Sequence, residues 1–122
     1  RVLLDAPCSA LGTLRRHPEG PWIKSPDDLA RFPAFQERLV RASLKMLKPG
    51  GVLVYCVCSP LPSEGLEVIE AVLNGGGAKQ LPIKPIEVPG FESGLSARGD
   101  LTTLPGGDNP RDAFFMARLQ RI

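Results

Sequence analysis

Alternating apolar and polar stretches divide the chain into short strands separated by helices and loops. Val2-Leu3-Leu4 is an apolar run that ends at Asp5-Ala6-Pro7. Because proline has no N–H to donate to a neighbouring strand, the first strand should end there. Val52 to Val57 is a continuous apolar run of strand length, which is typical of a strand buried on both faces of a parallel sheet. Two further strands are predicted, a short one over 79–83 and a last apolar one over 113–119.

A first long helix is predicted between the two parallel strands. Ser25-Pro26-Asp27-Asp28 is a helix start, because serine caps a helix, proline fits its first position and acidic residues favour its positive end. We expect Pro33 to break or restart the helix. From residue 34 to residue 47 the pattern is again helical, with one apolar stripe formed by Val40, Leu44 and Leu47.

A second helix and two long loops complete the pattern. Residues 9–24 and 84–112 are rich in proline and glycine, which predicts irregular segments. The second helix should follow Ser63 and run to about Leu73. Its inward-facing positions are expected to be Leu66, Ile69 and Leu73. The order strand, helix, strand, helix, strand predicts an α/β fold with a mostly parallel sheet.

Composition narrows the class of protein without naming a function. The chain has 122 residues, of which 43% are hydrophobic and 23% charged, as expected for one globular domain. Its net charge of +2 is too small to indicate a nucleic-acid partner. The three cysteines lack the spacing of a secreted disulfide scaffold, which favours a reduced, cytoplasmic setting. No apolar run is long enough to span a bilayer.

The chain lacks the glycine-rich turn that binds a nucleotide cofactor in doubly wound folds. It also opens directly on a strand, at Arg1-Val2-Leu3. We therefore expect residues 1–122 to be a portion of one catalytic domain whose cofactor-binding half precedes Arg1.

Two cysteines stand where the predicted parallel strands end. Cys8 lies just past the first strand, and Cys58 lies at the carboxyl end of the second. Neighbouring parallel strands are about 5 Å apart, and α/β proteins bind ligands at this edge of the sheet. The element order therefore predicts that the two thiols face one cleft.

Two thiols and an acid suit chemistry on a cytosine ring, which is electron-poor at carbon 6. A thiolate that adds there makes carbon 5 nucleophilic enough to accept a methyl group from a sulfonium, and a second group then assists release of the adduct. Asp5 is placed to hydrogen-bond the exocyclic amine or a ring nitrogen of cytosine. We also expect its negative charge to keep the neighbouring Cys8 thiol protonated.

The sequence resembles the RsmB/Sun-type RNA cytosine-5 methyltransferases at four places in the same order. Asp5-Ala6-Pro7-Cys8-Ser9 resembles their motif IV. Tyr55-Cys56-Val57-Cys58-Ser59 resembles motif VI, with Val57 where the family commonly has threonine. Two further matches are Leu47-Lys48-Pro49-Gly50-Gly51 and the segment from Asp112 to Leu119, where Ala113 replaces the usual glycine.

The resemblance implies roles for individual residues. Cys58 would be the nucleophile and Cys8 the cysteine that releases the product. Asp5 would lie in the pocket shared by cofactor and substrate, and we assign Asp5 and Pro7 to cofactor contact. The implied cofactor is S-adenosylmethionine, and the implied fold is the carboxyl-terminal half of a Rossmann-like methyltransferase with an antiparallel last strand.

The partner that the resemblance implies is RNA, and specifically ribosomal RNA, with neither a membrane nor a metal involved. Arg15 and Arg16 follow the Cys8 loop, where an RNA strand would enter. These two arginines are therefore our candidate RNA-binding residues.

Several alternatives remain open at this point. The cysteines would also suit buried packing positions, a disulfide, or a zinc site made with Cys56 and His17. A DNA cytosine-5 methyltransferase would share the Pro7-Cys8 pair without needing Cys58. An amino-group methyltransferase usually has Asp/Asn-Pro-Pro-aromatic where this chain has Asp5-Ala6-Pro7-Cys8. A non-catalytic RNA-binding module derived from such an enzyme is the alternative from another functional class.

Overall fold

The fold is built around one mixed sheet. The structure is a computed structural model, and it describes residues 1–106 and 111–122. The order of the sheet's main strands is the first, the second, the fifth and then the third, and the fourth strand also pairs with the fifth. The strands are β1 (Val2–Asp5), β2 (Val52–Val57), β3 (Ala78–Gln80), β4 (Leu101–Thr103) and β5 (Phe114–Arg121).

The sheet is mostly antiparallel, so the predicted mostly parallel sheet is wrong. β1 pairs β2 in parallel, but β5 runs antiparallel to β2, β3 and β4. The reason is that the last strand does not join the edge of the sheet but enters between β2 and β3, where it pairs with three neighbours. The predicted α/β class and the antiparallel last strand are both confirmed.

The helices are α1 (Gly20–Ile23), α2 (Pro26–Met46) and α3 (Leu66–Asn74). As predicted, Ser25 caps α2, in a reciprocal arrangement with Asp28. The predicted break at Pro33 is wrong, because α2 continues through this residue. Proline removes one backbone donor from the helix, and the buried face that follows, which includes Val40, holds the helix against the core.

The core lies on one face of the sheet, beneath α2 and α3. Alternate residues of β2, including Leu53 and Tyr55, are buried there together with Val40 of α2 and Ile69 of α3. The predicted stripe on α2 is confirmed, whereas Leu66 on α3 is 36% exposed and does not face inward. Val68 and Val72 are buried on α3 beside Ile69 instead, and Leu73 is partly buried.

The segments predicted as irregular contain additional short elements. Residues 9–24 hold α1 and a 3-10 turn at Leu11–Thr13. The segment over 84–112, predicted to be irregular, contains the strand β4, which the sequence pattern did not predict. Residues 107–110 of this segment lie outside the described residues. No helix among the described residues has both the length and the apolar character needed to cross a bilayer.

Candidate active site

The two thiols that follow the parallel strands are in contact. Because β1 and β2 are parallel neighbours, the loops that carry Cys8 and Cys58 leave the sheet side by side. The sulfur atoms are 3.4 Å apart, and both cysteines are free and partly buried. The prediction that the two thiols meet at neighbouring parallel strand ends is confirmed.

Burial keeps the Cys8 thiol protonated. Desolvation raises the pKa of Cys8 to about 12, and the hydrogen bond with Cys58 acts in the same direction. The Ala10 N–H, 3.4 Å from the Cys8 sulfur, lowers this pKa by a smaller amount. We expected the charge of Asp5 to be the cause, but burial is the main one.

Asp5 contacts a different cysteine from the one expected. It is exposed at the end of β1, opposite Cys56 in the parallel register. The Cys56 thiol lies 3.7 Å from a carboxylate oxygen of Asp5. Burial, together with the negative charge of Asp5 and its hydrogen bond, raises the pKa of Cys56 to about 11. Asp5 therefore shares the sheet edge with the thiol pair, while its own contact is with Cys56.

Pro7 is the other residue that we assigned to a cofactor. It is exposed at the same edge of the sheet. Its carbonyl accepts a hydrogen bond of 3.0 Å from Gln36, a buried residue of α2. This bond fixes the backbone next to Cys8 from the helix side.

The two candidate RNA-binding arginines converge on one acid. Arg16 donates from Nε to Asp112 over 2.9 Å, and Arg15 lies 3.6 Å from the other carboxylate oxygen. Arg16 holds the pKa of Asp112 below its usual value. Both arginine side chains remain about half exposed, at 48% and 52%, so each retains surface that a phosphate can reach.

Backbone hydrogen bonds connect the loop that carries Arg15 and Arg16 to Cys58. Gly12 donates its N–H to the Cys58 carbonyl over 2.9 Å and accepts from the Ala113 N–H over 2.8 Å. A side chain at Gly12 would place its Cβ 2.0 Å from the Ala113 oxygen and 2.8 Å from that of Cys58. Glycine is therefore required where this loop packs between the residue that follows β2 and the residue that precedes β5.

Sequence reasoning missed a buried carboxyl group next to the thiols. Glu64 is fully buried and accepts hydrogen bonds from Ser9, Ser59 and Gln36. The repeated Cys-Ser pair, Cys8-Ser9 and Cys58-Ser59, was the available signal, because it places a hydroxyl after each thiol.

The zinc alternative finds no support in the geometry. Within residues 1–106 and 111–122, no three His, Cys, Asp or Glu side chains are grouped to hold a metal ion.

The fold is similar to that of solved methyltransferase structures. Over 98% of its length the chain superposes on a methyltransferase homolog protein from Pyrococcus horikoshii, with a TM-score of 0.73, 30% identity and 38% of that chain covered. It superposes equally well on NSun6 from Pyrococcus horikoshii with SFG, at a TM-score of 0.73 and 25% identity, covering 29% of that chain.

Residues 1–120 match the family model of the 16S rRNA methyltransferase RsmB/F, and the chain belongs to this family. It is 40% identical over 119 residues to ribosomal RNA small subunit methyltransferase B of Salmonella newport, with 98% of this chain covered. Identity to the Pasteurella multocida protein of the same name is 36% over 123 residues, with 100% of this chain covered. The chain spans about a quarter of the length of these curated relatives, 25% and 26% respectively.

Proposed function

We propose that this chain carries the thiol pair of an enzyme that methylates carbon 5 of cytosine in RNA, specifically ribosomal RNA. The observation that carries the proposal is the 3.4 Å contact between the Cys8 and Cys58 sulfurs at the ends of two parallel strands. Family membership supports an RNA substrate. On this proposal, residues 1–122 form a portion of one catalytic domain, and the enzyme acts in the cytoplasm.

Cys58 acts as the nucleophile. Its thiolate forms a bond to carbon 6, and the displaced electron pair makes carbon 5 nucleophilic. Two negative charges at contact distance disfavour each other, so the pair supports one thiolate at a time. The high pKa of Cys8, about 12, keeps the proton on Cys8, so Cys8 is the poorer nucleophile of the two.

Cys8 serves the release step. After methylation, carbon 5 must lose its proton and the bond between Cys58 and carbon 6 must break. Cys8 passes its own proton to the departing Cys58 sulfur and takes up the carbon-5 proton in return. The thiol pair has then gained one proton, which it returns to solvent.

The exposed residues at the end of β1 fit a cofactor and a base. S-adenosylmethionine supplies the methyl group when bound, and SFG, seen with the NSun6 relative, is an analogue of it. Asp5 and Pro7 are both exposed at the carboxyl edge of the sheet, where α/β folds bind ligands. Asp5 would hold the exocyclic amine or a ring nitrogen of cytosine, and Pro7 would contact the cofactor.

The experiment is a methyl-transfer assay with the full-length enzyme and S-adenosylmethionine carrying a labelled methyl group. Ribosomal RNA and DNA of the same sequence are offered separately, and the products are digested to nucleosides. Label in 5-methylcytidine from RNA alone supports the proposal. Label at any other position, label in DNA, or RNA binding without transfer contradicts it.

A further inference from the structure

Glu64 is an acidic residue with no exposed surface, and the mechanism above gives it no part. Its carboxyl oxygens accept from the Ser9 N–H over 2.7 Å, the Ser9 hydroxyl over 2.6 Å and Gln36 Nε2 over 3.1 Å. The Ser59 hydroxyl donates as well. Burying a carboxylate is costly unless donors surround it, and four donors surround this one.

The donors come from the segments that carry the two thiols. Ser9 directly follows Cys8, and Ser59 directly follows Cys58. These residues lie beyond the ends of β1 and β2, so the ladder of the sheet no longer holds them together. The carboxylate of Glu64 bridges the two segments instead.

The bridging carboxylate is itself held in place by the core. The Tyr55 hydroxyl, buried on β2, donates to the Glu64 carbonyl over 2.6 Å. Gln36 donates both to the carboxylate and to the Pro7 carbonyl. Strand and helix therefore fix Glu64 relative to both loops.

We propose that Glu64 is a positioning residue for the thiol pair. By binding Ser9 and Ser59 on one carboxylate, it keeps the sulfurs of Cys8 and Cys58 at contact distance. The proposal rests on the proposed function only for the catalytic use of the thiol pair. The predicted effect of Glu64 on the thiol geometry is independent of methyl transfer.

Disulfide formation measures this geometry directly. Diamide takes two electrons and two protons from a pair of thiols: one sulfur adds to diamide, and the second sulfur must reach the first to form the S–S bond and displace the hydrazine. The full-length protein is treated with diamide, and the linked Cys8–Cys58 peptide pair is quantified by mass spectrometry over time. The variants are Glu64→Gln and Ser59→Ala. Glu67→Gln, an exposed acid on α3, is the matched control.

Glu64→Gln should slow formation of the Cys8–Cys58 disulfide by about tenfold or more. The reason is that losing a hydrogen bond to a charged group changes an equilibrium constant, here that for the paired arrangement of the thiols, by roughly 10- to 100-fold. Ser59→Ala should slow it by a smaller factor, and Glu67→Gln should match the wild type. A folded Glu64→Gln protein that crosslinks at the wild-type rate overturns the proposal, even if its melting temperature falls, because that pattern reflects a purely structural role.

Two further outcomes are decisive. If Glu64→Gln does not fold, Ser59→Ala takes its place, and a wild-type crosslinking rate in that variant overturns the proposal. If the variants crosslink slowly while the wild-type enzyme fails to produce 5-methylcytidine, Glu64 positions the thiols and the proposed function is wrong.

Discussion

The sulfur atoms of Cys8 and Cys58 lie 3.4 Å apart, although 50 residues separate them along the chain. A parallel strand pair with a helical crossover makes this possible, because it returns the chain to the same edge of the sheet. At that distance the two thiols act as a pair in which a proton on one affects the charge on the other.

Gly12→Ala should destabilise the protein by about 1–3 kcal/mol, the usual cost of overpacking. The added Cβ would meet the Ala113 and Cys58 carbonyl oxygens at 2.0 and 2.8 Å, and neither backbone atom can move freely. Gly20→Ala is the control, because its Cβ would meet only a leucine side chain at 3.7 Å. Urea denaturation checks the difference, and equal stability of both variants would show that the loop is looser than described.

Alkaline pH should destabilise the fold through its buried thiols. Folding raises the pKa of Cys8 to about 12 and that of Cys56 to about 11, from an ordinary value of 9.0. The unfolded chain therefore releases these protons first, so this contribution is complete below pH 9 and is lost as the pH rises towards the folded values.

Urea denaturation between about pH 8 and pH 10 should reveal this fall in the free energy of unfolding. The double variant Cys8→Ala/Cys56→Ala should show a shallower fall, because it lacks both thiols, whereas Tyr55, whose pKa burial also raises, still contributes. Identical slopes in the wild type and the double variant would rule out the thiols as the cause.

The 122-residue chain alone should bind S-adenosylmethionine weakly or not at all. Roughly half of a cofactor site in such folds comes from a strand–turn–helix with a glycine-rich turn, and none follows β1. Titration calorimetry on the chain, with the full-length enzyme as positive control, measures this. Micromolar affinity for the chain by itself would be incompatible with the prediction.

Arg15→Ala/Arg16→Ala should weaken RNA binding and its dependence on salt. Both side chains are about half exposed beside the Cys8 loop, at 48% and 52%. Each lost phosphate contact reduces the slope of log K against log salt by about 0.7 for single strands. Lys79→Ala on β3, at the opposite end of the sheet from β1, is the control. Filter binding over a salt series measures these slopes. If both variants keep the wild-type slope, the two arginines do not contact the RNA.

The contact between the two thiols could be predicted from the sequence because local signals determine it. An apolar run, a helix and a second apolar run imply a parallel pair, and the cysteines at the two strand ends must then meet. The place of β5 in the sheet could not be predicted in this way. Its apolar residues indicate a strand, but the pairing partners depend on the remaining fold.

The repeated Cys-Ser pair indicates two hydroxyls beside the thiols, but it does not identify Glu64 as their partner, because these contacts form only in three dimensions. An acid after Pro62-Ser63 has the pattern of an exposed helix start. Its burial depends on Ser9 and Ser59, which lie in separate segments, and sequence periodicity does not report such contacts. The error at Pro33 has a different cause, since packing of α2 on the sheet outweighs the lost hydrogen bond.

The division of labour between the thiols is the central claim, and one gel tests it. Cys58→Ala and Cys8→Ala variants of the full-length enzyme are incubated with cytosine-containing RNA and S-adenosylmethionine, then separated under denaturing conditions. Cys58→Ala should give neither methylation nor a covalent band, because no thiolate attacks carbon 6. Cys8→Ala should accumulate a covalent protein–RNA band, because release is slowed. A band with Cys58→Ala and none with Cys8→Ala would reverse the two roles, and full activity in both variants would contradict the mechanism.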